Sequence, residues 1–257
     1  MSWERERDVA LEAAHVAGGI ILGHYGKGLS PETKADGSPV TQADLEASAA
    51  IERILGDAFP TDAILGEEGP DDPARLGRER VWIVDPLDGT RDFLARTGDF
   101  CVHVALAFRG RPVVGVVRHV VPELSAHAVV GQGAWIGQTR LAVSTSASAT
   151  RVGVSRQSCP PPLAAALGDR ARPSGASVKY LALARGELDG ILTLTPGEKE
   201  WDTCAPELVV LEAGGRVTGG DGRAFAYNQR DLGRPTGIVA SNGLCHDELL
   251  SLVTRCA

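Results

Sequence analysis

The chain is short of cysteine, of long apolar runs and of basic charge, and each shortage removes a class of protein. Its five cysteines, Cys101, Cys159, Cys204, Cys245 and Cys256, are odd in number and scattered, without CxxC spacing. That pattern argues against a disulfide framework and against a zinc site, and predicts reduced, mostly inert thiols. No stretch approaches the roughly 20 apolar residues of a membrane span. Nor does the charged start Met1–Asp8 lead into a signal-peptide core, so the expectation is a soluble cytoplasmic protein with no membrane partner. Lysine and arginine total 26 against 33 acidic residues, a net charge of -7. A broad basic surface is therefore missing, and a nucleic-acid polymer is not expected as a partner. A small anionic substrate fits only if metal supplies the positive charge. The six histidines, His15, His24, His103, His119, His127 and His246, show no ligand pairing and read as structural or surface residues. No internal repeat is present, and Gly131-Gln-Gly133-Ala-Trp-Ile-Gly137 lacks the dinucleotide-binding spacing, which leaves a hairpin turn.

What is present is enough apolar residue, 43% of 257, for one large domain or two lobes. Val9, Ala13, Val16, Ile20 and His24 recur at three- and four-residue spacing, which predicts a helix over 3–25 that stops at Gly26. A second helix is predicted over 42–55, after a turn-rich loop at Lys34–Pro39. Phe100–Phe108, Pro112–Val121, Ser125–Val130 and Ala134–Val143 read as an antiparallel meander. From Arg151 the pattern becomes strand (Val152–Ser155), helix (Ser177–Arg185), strand (Gly190–Leu194), helix (Asp202–Ala213) and strand (Arg216–Thr218). These patterns divide the chain into an N-terminal α+β lobe, 1–146, and a C-terminal α/β lobe, 147–257.

The densest signal is Trp82-Ile-Val-Asp-Pro-Leu-Asp-Gly-Thr-Arg-Asp-Phe93. Val81–Val84 reads as a buried strand ended by Asp85-Pro86, and Gly89-Thr90 can open a helix whose first N–H groups face Asp85 and Asp88. Two carboxylates and a phosphate would repel one another unless hard divalent cations lie between them. The pattern therefore points to metal-assisted phosphoryl transfer. Phosphatases with an aspartyl nucleophile carry Asp-x-Asp-Gly-Thr; here two residues separate the carboxylates, which favours water as the nucleophile.

Three other acidic sites could converge there, each with a plainer reading. Asp44, three residues after Thr41, suits a capping box. Glu67-Glu68 between glycines suits a solvated turn, and Asp202 suits a helix N-cap.

Together Gly66-Glu67-Glu68, Trp82–Thr90 and Trp201-Asp-Thr-Cys-Ala-Pro206 with Gly214-Gly215 resemble the inositol monophosphatase superfamily. The resemblance implies a layered αβαβα sandwich of the sugar-phosphatase type, shared with fructose-1,6-bisphosphatase, two to three Mg²⁺ ions and inhibition by lithium. Carried over, it implies that Glu67, Asp85 and the Leu87 carbonyl hold one metal, and Asp85, Asp88 and Asp202 a second. Thr90 and Glu67 would orient the attacking water, with Asp44 assisting near a third ion. The substrate would meet Asp88, Asp202 and the backbone of Gly89 and Thr90.

The flanks narrow the likeness. Arg91-Asp92-Phe93, Gly98-Asp99-Phe100, Ser155-Arg156, Gly175-Ala-Ser-Val-Lys179-Tyr180, Glu200-Trp-Asp202 and Tyr227-Asn-Gln229 are similar to bacterial 3′(2′),5′-bisphosphate nucleotidases. By that likeness Arg156 and Lys179 are candidates for a second phosphate or the ribose. Ala176, where such enzymes often have Ser, and the lack of a basic residue near Thr193 depart from the pattern. The implied activity is removal of the 3′-phosphate of 3′-phosphoadenosine 5′-phosphate; the alternatives are an inositol-1-monophosphatase, a broad sugar phosphatase, or a non-catalytic regulator of the same fold. Monomer and homodimer both remain open.

Overall fold

The computed structural model describes residues 2–28, 30–34, 37–175, 177–194 and 197–256. Ala35 and Asp36 of the predicted loop, and Ala176, lie outside them. In chain order the elements are α1 (Glu4–His24), β1 (Glu32–Thr33), β2 (Pro39–Val40), α2 (Gln42–Ala58), β3 (Ala63–Gly66), β4 (Arg80–Asp88), α3 (Thr90–Ala95), β5 (Cys101–Phe108), β6 (Arg111–His119), β7 (Leu124–Val129), β8 (Ala134–Ile136) and β9 (Thr139–Arg140). There follow β10 (Val152–Ser155), α4 (Pro161–Leu167), β11 (Ala171–Ser174), α5 (Val178–Ala184), β12 (Gly190–Thr193), α6 (Glu200–Glu212), β13 (Arg216–Gly219), β14 (Ile238–Ser241) and α7 (His246–Cys256).

A seven-stranded sheet runs β3-β4-β5-β6-β7-β8-β9. All its pairs are antiparallel except β3 with β4. The predicted meander is there, with Ala134–Val143 reduced to β8 and β9 on either side of a turn at Gly137. A five-stranded sheet runs β11-β10-β12-β14-β13, in which β10 is parallel to both neighbours and β14 antiparallel to both.

The apolar faces stack these sheets with three helix layers. Ala10, Ala13, Ala17 and Ile21 of α1, with Ala47 and Ile51 of α2, pack on the outer face of the large sheet against Trp82, Val84 and Val114. Tyr180 and Leu183 of α5 and Leu208 and Val209 of α6 fill the space between the sheets, against Ile83 and Ala105 on one side and Ile191 and Ala240 on the other. Leu163 of α4 and Leu249 and Leu252 of α7 cover the outer face of the small sheet. The result is the αβαβα sandwich. Among the described residues no helix is long and apolar enough to cross a membrane, and all five cysteines are unpaired.

One expectation is corrected. Pro86 does not end its strand: β4 continues to Asp88 through a register shift, with Asp85 opposite His103 and Asp88 opposite Cys101. Pro86 and Leu87 thus share the space facing Val102, and a bulge is where a strand can lose a ladder donor without breaking. The bulge aims both carboxylates into the same space.

Candidate active site

Four element ends meet beside that bulge: the end of β3, and the starts of α2, α3 and α6. Asp85 is wholly buried; its Oδ1 accepts the Leu87 N–H at 3.0 Å, and its Oδ2 has no partner. Ligand oxygens of Asp85, Asp88 and Asp202 lie within 4.8 Å of one another. Asp88 Oδ2 accepts the Ser177 N–H at 2.6 Å, which orients it from across the cleft. Asp202 Oδ2 accepts the Lys199 N–H at 2.5 Å; Lys199 is the N-cap of α6 and Asp202 its third residue, so the N-cap expectation is corrected to a bond back from the first turn, made while Asp202 also stands in the cluster. Asp44 is double in the same way. Its Oδ2 takes the N–H and hydroxyl of Thr41, at 2.8 Å and 2.6 Å, in a capping box. Its Oδ1 accepts the Thr90 hydroxyl at 3.0 Å.

Glu67 follows the last residue of β3, and Gly66 pairs with Val84 in the ladder, so parallel pairing of β3 with β4 delivers the Gly-Glu-Glu turn to the bulge. Lys34 Nζ donates to Glu67 Oε1 at 2.7 Å and to Glu68 Oε1 at 2.6 Å. Burial works against the Lys34 charge, but the two glutamates outweigh it and its pKa rises.

The electrostatics say what the cluster lacks. Burial, then the charges of Glu67, Asp88 and Asp202, push the Asp85 carboxyl well above its ordinary range. Burial, then Glu198, Asp88 and Glu67, do the same to Asp202. Carboxylates crowded in a dry corner are stable as anions only beside cations. The orphaned Asp85 Oδ2, the all-oxygen donor set and the Leu87 carbonyl, which accepts the Thr90 hydroxyl at 3.3 Å, fit a hard divalent ion such as Mg²⁺.

A cavity of about 470 Å³ opens from the cluster, and its lining includes Glu67, Asp88, Thr90 and Asp202 together with Ser155, Gln157, Ser177, Lys179 and Glu198. Gly89, at φ 95°, occupies the left-handed region that glycine adopts without strain, and it brings the backbone of α3 to the cavity edge. Lys179 is 5% exposed. Its charge offsets the effect of burial on the nearby Glu198 carboxyl, whose pKa is nonetheless raised.

Arg156 stands elsewhere. Its guanidinium is taken by Asp92 Oδ1 at 2.8 Å and by Asp99 Oδ2, and it is absent from the described cavity wall. Tyr227-Asn-Gln229 also lies away from the cavity: Glu200 accepts the N–H groups of Asn228 and Gln229 at 2.6 and 2.8 Å, so this segment anchors the start of α6. Glu198, Lys34 and the Ser177 N–H carry no sequence signal, because each reaches the cluster only through tertiary folding. His103, read from sequence as structural or surface, is buried with Nε2 3.6 Å from Asp88 Oδ2.

The inositol monophosphatase family model matches residues 2–257. The chain belongs to the inositol monophosphatase family. It is 33% identical to the 3′(2′),5′-bisphosphate nucleotidase CysQ of Escherichia coli strain K12, over 87% of this chain and 94% of that one. It is also 33% identical to a histidinol-phosphatase of Mycobacterium tuberculosis, over 86% of each. Among solved structures, an IMPase of Thermotoga maritima superposes with a TM-score of 0.84 at 27% identity, covering 97% of this chain and 96% of that one. Membership supports a phosphomonoesterase, and the relatives divide over the ester they cleave.

Proposed function

We propose that the protein is a Mg²⁺-dependent phosphomonoesterase whose preferred substrate is 3′-phosphoadenosine 5′-phosphate, cleaved at the 3′-phosphate to give AMP. The observation that carries the choice is Lys179, a buried ammonium that lines the same cavity as Asp88 and Asp202. A substrate with one phosphate at the cluster and a second anionic group nearby matches that placement. Arg91 lines the same cavity and adds a second cation at its rim.

In this reading Glu67, Asp85 and the Leu87 carbonyl hold one ion, and Asp85, Asp88 and Asp202 another. Two or three Mg²⁺ ions, when bound, supply charge neutralisation and activate water. Thr90 and Glu67 orient that water, and Asp44 fixes the Thr90 hydroxyl through its 3.0 Å bond. The backbone of Gly89 and Thr90 receives the phosphate, and Asp88 and Asp202 flank the departing oxygen. Arg156 serves the substrate indirectly, by positioning Asp92 and Asp99. The N-terminal lobe, 1–146, then carries most of the chemistry, and 147–257 the substrate wall and Asp202. We place the activity in the cytoplasm, on a small phosphorylated metabolite.

A second reading, an inositol-1-monophosphatase or broad sugar phosphatase, has its own support. No aromatic ring lines the described cavity, whereas Ser155, Gln157, Ser158 and Ser177 do, and hydroxyl-rich walls suit polyols. Phosphate release with Mg²⁺ separates the two. The nucleotide should lead in kcat/KM; a tenfold advantage for an inositol monophosphate or fructose 1,6-bisphosphate would reverse the assignment.

A further inference from the structure

A second cavity, of about 350 Å³, is lined by residues of β6, β7, β11 and α5. That is within the range of small-molecule sites, about 300–1,000 Å³. Among the described residues it shares Lys179 with the candidate active-site cavity and nothing else. Leu124, Val178, Leu181, Ala182 and Leu188 give it an apolar lining, and Leu124, Val178 and Ala182 are only partly buried against the core. Apolar surface left open in a concave place is stabilised by an apolar occupant. The charge there has one dominant sign, although the chain as a whole carries -7. Arg172 and Arg185 join Lys179 in the lining, against the carboxylate of Glu187. Arg185 reaches Glu187 at 2.9 Å, but both side chains are exposed, so that pair holds little energy. Arg172 donates to the carbonyl oxygens of Asp169 and Ala171 at 2.6 and 2.9 Å and meets no carboxylate among the described residues. Ser174 also lines the cavity, and its buried Oγ has no hydrogen-bond partner. An orphaned hydroxyl beside two guanidinium groups calls for an anionic acceptor.

We propose that this cavity binds a small amphipathic anion, an apolar or aromatic body carrying one sulfonate, carboxylate or phosphate group, with the body on Leu124, Val178 and Ala182 and the anionic group at Arg172 and Arg185. The site goes beyond the function proposed above and does not depend on it. It borders the frame of the candidate active site. His119, in its lining, donates from Nε2 to the Gly98 carbonyl at 2.9 Å, and Ser174 precedes Gly175, whose N–H binds Asp99 Oδ2 at 3.1 Å. Both connections lead to Asp99 and its partner Arg156.

The test is fluorescence titration of the full chain with two probes of one shape, anilinonaphthalene sulfonate and its uncharged parent phenylnaphthylamine. The sulfonate should saturate at one per chain and bind at least about tenfold tighter than the parent. Arg172→Gln combined with Arg185→Gln should erase that preference to within about threefold while the parent still binds. Ala182→Trp, which fills the cavity, should weaken both probes at least about tenfold; if it misfolds, the glutamine pair, on exposed surface, decides alone. A wild-type protein that holds the sulfonate no tighter than the parent overturns the proposal, as does a preference that survives the glutamine pair. Displacement of the sulfonate by AMP with Mg²⁺ would put the probe in the catalytic cavity instead and overturn it too. So would release of the probe as the chain dimerises with rising concentration, which would give this face to a second copy.

Discussion

Arg156, just past the end of β10, holds the buried carboxylate of Asp92 in α3 at 2.8 Å and reaches Asp99 with its other nitrogen. Gln157 donates to Asp92 Oδ2 at 3.2 Å, and the Gly175 N–H to Asp99 Oδ2 at 3.1 Å. A Cβ at residue 175 would stand 2.3 Å from Asp92 Oδ2, so only glycine allows this approach. The bracket ties α3, beside the metal cluster, to the wall formed by Ser155, Gln157 and Ser158. Arg156→Met should therefore raise KM about tenfold and leave kcat within about threefold. The Arg156 side chain is 41% exposed, so the ion pair itself is worth little. Loss of a partner from buried Asp92 sets a stability cost of about 1–2 kcal/mol, read by urea denaturation beside steady-state kinetics.

Asp85→Asn separates function from stability. Asp85 is raised well above the ordinary carboxylate range first by burial and then by three neighbouring carboxylates, so an amide in its place relieves repulsion in the metal-free protein. We expect metal-free Asp85→Asn to gain about 1–2 kcal/mol, a few degrees in Tm. It should lose the Mg²⁺-induced rise in Tm that the wild-type protein shows by mass action, and at least about 10³-fold in kcat/KM. Differential scanning calorimetry with and without Mg²⁺ checks the first two, and phosphate release the third. A variant less stable than wild type without metal would contradict the electrostatic account.

Gly115 on β6 fixes the depth at which α6 sits. A Cβ there would lie 2.9 Å from the Ala205 carbonyl oxygen and 3.2 Å from its Cα, both backbone atoms of the helix that carries Asp202. Gly115→Val forces α6 outward, at a cost of about 1–3 kcal/mol for overpacking. The displacement reaches the cluster through Asp202, so Mg²⁺ affinity should fall with stability, measured by calorimetric titration. A variant that is destabilised yet binds Mg²⁺ normally would show that α6 adjusts without moving its first turn.

The clustering of carboxylates was more legible in the sequence than its surroundings. Asp85, Asp88 and Asp202 stood out as acidic positions and lie together in the fold, and three- and four-residue apolar spacing located α1. The plain reading of Asp44 did not compete with a place at the site, because one of its oxygens completes the capping box while the other accepts the Thr90 hydroxyl; Asp202 sits one turn into α6 instead of at its N-cap. Pro86 misled, since a proline that would end a regular strand is tolerated in a bulge. Helix α4 opens on Pro161 and Pro162, where proline is at home in a helix's first turn, but it is too short to show an apolar stripe, and β11 and β14 are four-residue runs too short to show a period. Glu198, Lys34 and His103 were silent because nothing local distinguishes them; β5 lies beside β4 only through non-local pairing, and it is this pairing that sets His103 against Asp85.

His246 gives the pH dependence of the small sheet. The Thr218 hydroxyl donates to the Gly219 carbonyl, so its oxygen accepts from His246 Nε2–H at 3.0 Å. Ser241 Oγ lies 2.8 Å from Nδ1 and can donate to it. The neutral ring is satisfied on both sides, and a second ring proton would meet the Ser241 hydroxyl's own hydrogen. Burial, with the Arg216 charge, lowers the pKa to about 4, against about 6.5 unfolded. Because the unfolded chain takes up the proton first, stability from this residue is complete above pH 6.5 and is lost as pH falls toward 4, by at most about 3 kcal/mol. His246→Gln, which cannot titrate, should be less stable than wild type at pH 7.5 and should lose less between pH 7.5 and 4.5. Urea midpoints at those two pH values decide it: equal losses for the two proteins would mean that the acid sensitivity arises elsewhere.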